Sequence, residues 1–190
     1  NVTFLFGAVV LVEPVLAEPD YLLNMADSRN QLVIGALLEL VNALAYLGIA
    51  VVVYPLFRKR FESLALGYVS LRVLEFVAQM TSSIAPLLLI KLGADFIGAG
   101  SADAASFQAL GSVLIDVRAW GFQMVSFTFG ISALIFYYIF YQIKAIPRFI
   151  SIWGMVGAAL VFANLIGDLF GFTALGNLGF LMLANELFLG

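Results

Sequence analysis

Residues 61–91 read FESLALGYVSLRVLEFVAQMTSSIAPLLLIK. A bilayer is crossed by about 20 predominantly apolar helical residues, and this stretch is long and apolar enough to do so. Yet Arg72 and Glu75 stand in its middle. Three residues apart, they share one helix face, and Tyr68 and Gln79 extend that face by a turn in each direction. A charged pair at membrane depth must face protein or water rather than lipid, so the remaining helices are expected to surround this polar stripe.

The whole chain supports a membrane setting. Of its 190 residues 63% are hydrophobic and 11% charged, and the mean hydropathy is +1.07. Soluble domains carry about 25% charged residues, so a water-soluble helical protein of this composition would lack the polar side chains to cover its surface. The sequence has no Cys and no His. That removes disulfides, thiolate metal sites, cysteine nucleophiles and histidine acid–base chemistry. A hard cation held by carboxylates stays open, but no pattern of ligands points to a metal, a cofactor or a catalytic group. The Lys and Arg residues sit in short loops, which reads as topology and not as a nucleic-acid patch.

Outward from the central stretch, residues 30–57 form the preceding span, capped by Ser28 or Asn30, with Glu39, Asn42 and Tyr46 on one face. Arg58, Lys59 and Arg60 follow it and mark the cytoplasmic side. Further upstream, Asn1 to Val12 reads as part of a helix whose start is missing. A signal peptide cleaved after Ala17 is the rival reading. Glu13-Pro14 and Glu18-Pro19 are expected to break any helix here. Downstream, Pro86 is expected to kink its helix, with Thr81, Ser82 and Ser83 satisfying the freed carbonyls, and residues 93–105 to form an outer loop.

Residues 104–142 keep a helical pattern for 39 residues. At the rise of an α-helix that is roughly 58 Å, nearly twice a hydrocarbon core of about 30 Å, so a break near Gly111 is expected. A second basic loop, Lys144 to Arg148, leads into a span that carries Asn164 and Asp168. A last span begins near Thr173 and bears Asn177, Asn185 and Glu186. The expected architecture is all-α: a single domain over residues 1–190, built as a multi-pass membrane bundle of six transmembrane helices. The first and last are truncated and both termini are cytoplasmic. The expected location is the cell membrane.

LALGYVSLRVLE after a basic turn, then VRAWGF, then IPRFISIWGMVG, with EPDYL early and NEL late, resemble a bacterial and archaeal family of small six-helix membrane proteins. That family is described only as a domain of unknown function. The resemblance covers nearly the whole chain and implies a six-span bundle with an intact first helix upstream of Asn1. It brings no activity. One departure is Asn185, where the family pattern implies Gln before the glutamate.

Helix rise gives the depth of the polar groups. Glu39 lies about 12 Å from the outer end of its span, and Arg72 and Glu75 roughly 16 and 21 Å from the inner end of theirs. These three are expected to meet, with Arg72 as hub. Asn42 and Gln79 flank them, Glu186 lies near the midplane, and Arg118 reaches down from above. Glu39, Asn42, Arg72, Glu75, Gln79, Arg118 and Glu186 are therefore the candidate ligand or proton site.

Two functions compete for that cluster. One is a non-enzymatic structural or accessory membrane subunit, registered by a buried Arg/Glu network. The alternative is a proton-coupled small-solute transporter or ligand-binding membrane protein using the same residues. An aspartyl dyad of Asp116 and Asp168 is set aside, since neither has a Gly-x-Gly-Asp context and both map to the outer interface. The expected partners are the bilayer and other membrane subunits or a second copy, with no nucleic acid.

Because the chain has no native cysteine, its topology can be read directly. Cysteines introduced at Ser63 and Ala145 are expected to resist an impermeant thiol reagent in intact cells. Labelling of both from outside overturns the orientation.

Overall fold

The computed structural model describes residues 5–99 and 103–170. Their regular structure is all helical, joined by short turns, with no strand among them. A π-helical stretch, Leu5–Val12, runs directly into the short helix α1, Glu13–Leu16. Helix α2 is Tyr21–Asn24, α3 is Arg29–Ala99, α4 is Ala104–Ile143 and α5 is Arg148–Leu169.

Pro14 does not break the first helix. The helical run passes through it without interruption, from the π-helical stretch into α1 and on to Leu16. The chain leaves helical geometry only after Leu16.

Helix α3 is two helices joined at Phe61, whose φ of −137° and ψ of 62° are the non-helical values inside it. Three adjacent cations, Arg58, Lys59 and Arg60, come just before this bend. The ring of Phe57 lies 5.7 Å from that of Tyr68 across the bend, and further out Ser83 Oγ donates to Glu39 Oε2 at 2.6 Å. At each of these two places the arm of α3 before the bend packs beside the arm after it. Each arm is longer than a bilayer core requires.

Three helices, those beginning at Arg29, Ala104 and Arg148, are long and apolar enough to cross a membrane, and a shorter apolar helix occupies Phe6–Leu16. The burial pattern fits this reading. Large apolar side chains lie exposed along the helices, Val52 at 77% among them, whereas Glu39, Arg72, Glu75 and Arg118 are buried. A soluble fold places these groups the other way round.

The chain divides into two compact units. The first comprises Asn1–Leu44 and Val77–Phe122, the second Ala45–Phe76 and Gln123–Gly190. In the first, Val12, Val15, Leu16, Leu22, Met25, Leu32 and Leu89 form the core. In the second, Ala50, Phe57, Ala65, Tyr68 and Ile139 form one cluster, and Ala133, Tyr137 and Ala158 another.

Two expected breaks are absent. Helix α3 continues through Gly93 to Ala99, so the outer loop expected over residues 93–105 is largely helix, and α4 runs unbroken past Gly111. Both glycines serve packing instead. A Cβ at Gly93 would stand 2.6 Å from the Leu22 carbonyl oxygen, and one at Gly111 would collide with the Tyr21 hydroxyl. The glycines mark where the segment bearing Tyr21 and Leu22 presses against two long helices.

Gly111→Val is accordingly expected to lower the melting temperature in detergent, because overpacking a filled site costs about 1–3 kcal/mol. Tyr21→Ala in the same chain should return part of the loss. A Gly111→Val protein as stable as the parent would show that Tyr21 does not pack there.

Candidate functional site

Among the described residues the buried charges form two networks, one in each unit. In the first unit the centre is Arg118. It lies 14 residues into α4, about 21 Å along the helix axis, and Glu39 lies about 15 Å along α3 from Arg29.

Arg118 Nη2 donates to Glu39 Oε1 at 2.6 Å and Nη1 donates to Glu39 Oε2 at 3.3 Å, a two-pronged pair. Nε donates to Glu13 Oε1 at 2.9 Å. Nη1 also donates to the Ser82 carbonyl at 3.3 Å. That last acceptor has a local cause. Pro86 has no N–H, so the carbonyl four residues back, at Ser82, has no helical donor. The Ser82 hydroxyl in turn donates to the Arg118 carbonyl at 2.8 Å. The ring of Phe122, one turn along α4, lies 4.6 Å from the guanidinium carbon.

Glu39 is satisfied from several sides. Besides Arg118, its Oε2 accepts from Ser83 Oγ at 2.6 Å and, at the longer distance of 3.5 Å, from Gln79 Nε2. Gln79 Nε2 also donates to Ser83 Oγ at 3.2 Å. The side chains of Arg118 and Glu39 are 2% and 0% exposed, whereas that of Glu13 is 50% exposed. Glu39 thus has no face toward solvent, and the second carboxylate of the network has one. Asn42, one turn along from Glu39, is buried as well.

The second unit holds Arg72 and Glu75. Arg72 Nη1 donates to both Glu75 oxygens, at 2.9 and 3.0 Å. The guanidinium carbon lies 4.9 Å from the ring centre of Tyr46, 5.3 Å from Tyr68 and 5.4 Å from Phe129. Aromatic faces stabilise a desolvated cation by about 2 kcal/mol, and here three of them surround one charge. Arg72 Nε is buried without an acceptor.

These contacts change the expected arrangement. Arg72 was expected to hold both Glu39 and Glu75; instead Glu39 takes its cation from Arg118 and Glu75 takes its own from Arg72. The cause lies in α4. Without a break near Gly111, Arg118 sits a full 14 residues inside its helix. The three hydroxyls before Pro86 also divide their work. Thr81 donates to its own helix, at the Val77 carbonyl, while Ser82 and Ser83 donate to Arg118 and Glu39. Glu186 lies outside the described residues, as do Asn177 and Asn185.

Glu13 belongs to the network, although its sequence position suggested only a helix breaker. The signal was there: an acid stands at the end of the wholly apolar run 5–12.

Over residues 1–190 the sequence matches the profile described as Domain of unknown function (DUF4386). No curated protein and no solved structure matches it.

Removing Arg118 would leave Glu39 buried without a cation. Arg118→Leu is expected to cost about 3–5 kcal/mol, the usual loss on breaking a buried pair from one side, seen as a large fall in melting temperature. Arg118→Lys should recover only part, since an ammonium cannot reproduce the two-pronged contact and the bond to Glu13 together. A Leu variant as stable as the parent would refute this arrangement.

Proposed function

The chain belongs to the DUF4386 family, and we propose that it is a six-span protein of the cell membrane with a structural role. It acts as a non-enzymatic subunit held in register by buried Arg/Glu pairs, beside other membrane subunits or a second copy of itself. The two arms of α3, with α4 and α5, supply four spans. The apolar stretch ending at Leu16 belongs to a fifth, and the residues after 170 to a sixth. Both termini lie in the cytoplasm, on the side of the basic residues at the Phe61 bend and of Lys144 and Arg148.

The observation that carries this reading is the saturation of Glu39. A carboxylate that loads and releases a proton or a solute must exchange partners with water during its cycle. Glu39 instead accepts from Arg118 through both oxygens and from Ser83 and Gln79, with 0% of its side chain exposed. Such a group fixes helix positions, and buried ionic pairs are best attested in that use.

The second reading, proton-coupled solute transport or ligand binding, has one observation in its favour. Arg72 Nη1 donates to both Glu75 oxygens, and the buried Nε has no acceptor. The edge formed by Nε and Nη2 is the fork that a carboxylate fits side-on.

Two measurements on purified protein separate the readings. Arg118→Leu combined with Glu39→Leu is expected to melt near the parent temperature, because replacing both members of a buried pair by apolar groups can be nearly neutral. Parent protein in liposomes is expected to pass protons no faster than protein-free liposomes under an imposed pH gradient. Proton flux that the parent supports and Glu75→Gln abolishes would replace the structural reading by transport.

A further inference from the structure

One end of the second unit carries cations that meet no acid in an ion pair among the described residues. Phe57, Ala65, Tyr68 and Ile139 form a core there, with Phe61, Phe140 and Ile143 packed against it. The ring of Phe61 lies 6.2 Å from that of Tyr138. This core brings the bend of α3 beside the end of α4. Two groups of cations leave it together: Arg58, Lys59 and Arg60 from the bend, Lys144 and Arg148 from the turn that follows α4.

All five of these residues are exposed. None forms an ion pair among the described residues, in contrast to exposed Lys91, which meets Asp95 at 2.7 Å. Glu62 is the one acid within residues 54–63 and 141–148. Three of the five lie against rings instead. The guanidinium carbon of Arg58 is 6.0 Å from the Tyr54 ring, that of Arg60 is 5.9 Å from Phe61, and that of Arg148 is 5.4 Å from Tyr141. Tyr54, Tyr138 and Tyr141 are the residue type that settles at headgroup depth. The turn is short, with Lys144 in the left-handed region at φ 56° and Arg148 opening α5, so both cations stay close to the core.

We propose that this end of the molecule binds anionic lipid headgroups, with the five cations taking the phosphates and the tyrosine rings setting the depth. The inference rests on the membrane reading above and adds to it a preference for one class of lipid. Five exposed cations without an ion pair among the described residues attract counter-charge, and at the bilayer surface a phospholipid of net negative charge supplies it where a zwitterionic one does not. Each Lys or Arg at such a surface contributes about a fivefold preference at low salt, reduced as the ionic strength rises.

The chain has two tryptophans, so Trp120→Phe leaves Trp153 alone as a reporter. Trp153 is 53% exposed and five residues beyond Arg148, about 7.5 Å along the helix. The protein is placed in phosphatidylcholine bilayers containing either brominated phosphatidylglycerol or brominated phosphatidylcholine at equal mole fraction. Brominated phosphatidylglycerol is expected to quench Trp153 more strongly, and raising the salt should remove the difference. Gln at positions 58, 59, 60, 144 and 148 should also remove it. Arg58→Gln with Lys59→Gln and Arg60→Gln should remove part, and this variant serves if the fivefold one does not fold.

Equal quenching by the two lipids at low salt would overturn the proposal, as would an unchanged preference in either neutralised variant. Loss of the preference on adding inorganic phosphate at constant ionic strength would also overturn it and assign the surface to free phosphate. Quenching by neither lipid would overturn the membrane reading, and this inference with it.

Discussion

A guanidinium keeps its proton under any condition a folded protein survives, so Arg118 is charged wherever the fold puts it. With 2% of its side chain exposed, it cannot rely on water. The charge must be met by the protein, and the first unit is arranged to meet it. Glu39 arrives from the first arm of α3, the Ser82 carbonyl from the second, and Glu13 from α1. Three segments far apart in sequence therefore converge on one side chain of α4. In a medium of low dielectric such bonds are strong, but each also repairs a desolvation cost. Their effect is to specify which helices meet and at what height, more than to add net stability.

The proline in the second arm shows how local chemistry feeds this arrangement. Pro86 deprives the Ser82 carbonyl of its helical donor, and Arg118 supplies one. A defect in one helix thus becomes an acceptor for the charge of another. The second unit answers the same requirement differently. Arg72 has a single carboxylate, Glu75, and the rings of Tyr46, Tyr68 and Phe129 around it. One network is closed by hydrogen bonds on its acid. The other leaves the Arg72 Nε without an acceptor.

Much of this was legible in the sequence. The apolar composition, the intramembrane charges and the basic residues before Phe61 led to a helical membrane bundle with Glu39, Arg72, Glu75, Gln79 and Arg118 buried, and these five are buried. Pairing was not legible. Counting residues along a helix gives height only if the helix ends are known, and with a break at Gly111 Arg118 reads as a group near a helix start rather than 14 residues inside one. A glycine that ends a helix and one that admits a neighbouring ring look alike until Tyr21 and Leu22 are placed beside them. Glu13 was hidden for a similar reason. A proline after an acid reads as a break, whereas here the helical run continues through Pro14 to Leu16.

The most direct test of this account is an experimental density map at side-chain resolution around Arg118. It should show both Glu39 oxygens within hydrogen-bonding distance of Arg118 Nη1 and Nη2, the Ser82 carbonyl bonded to Nη1, and Nε directed at Glu13. A map in which the guanidinium of Arg118 points to water, with Glu39 held by another cation or by none, would contradict it.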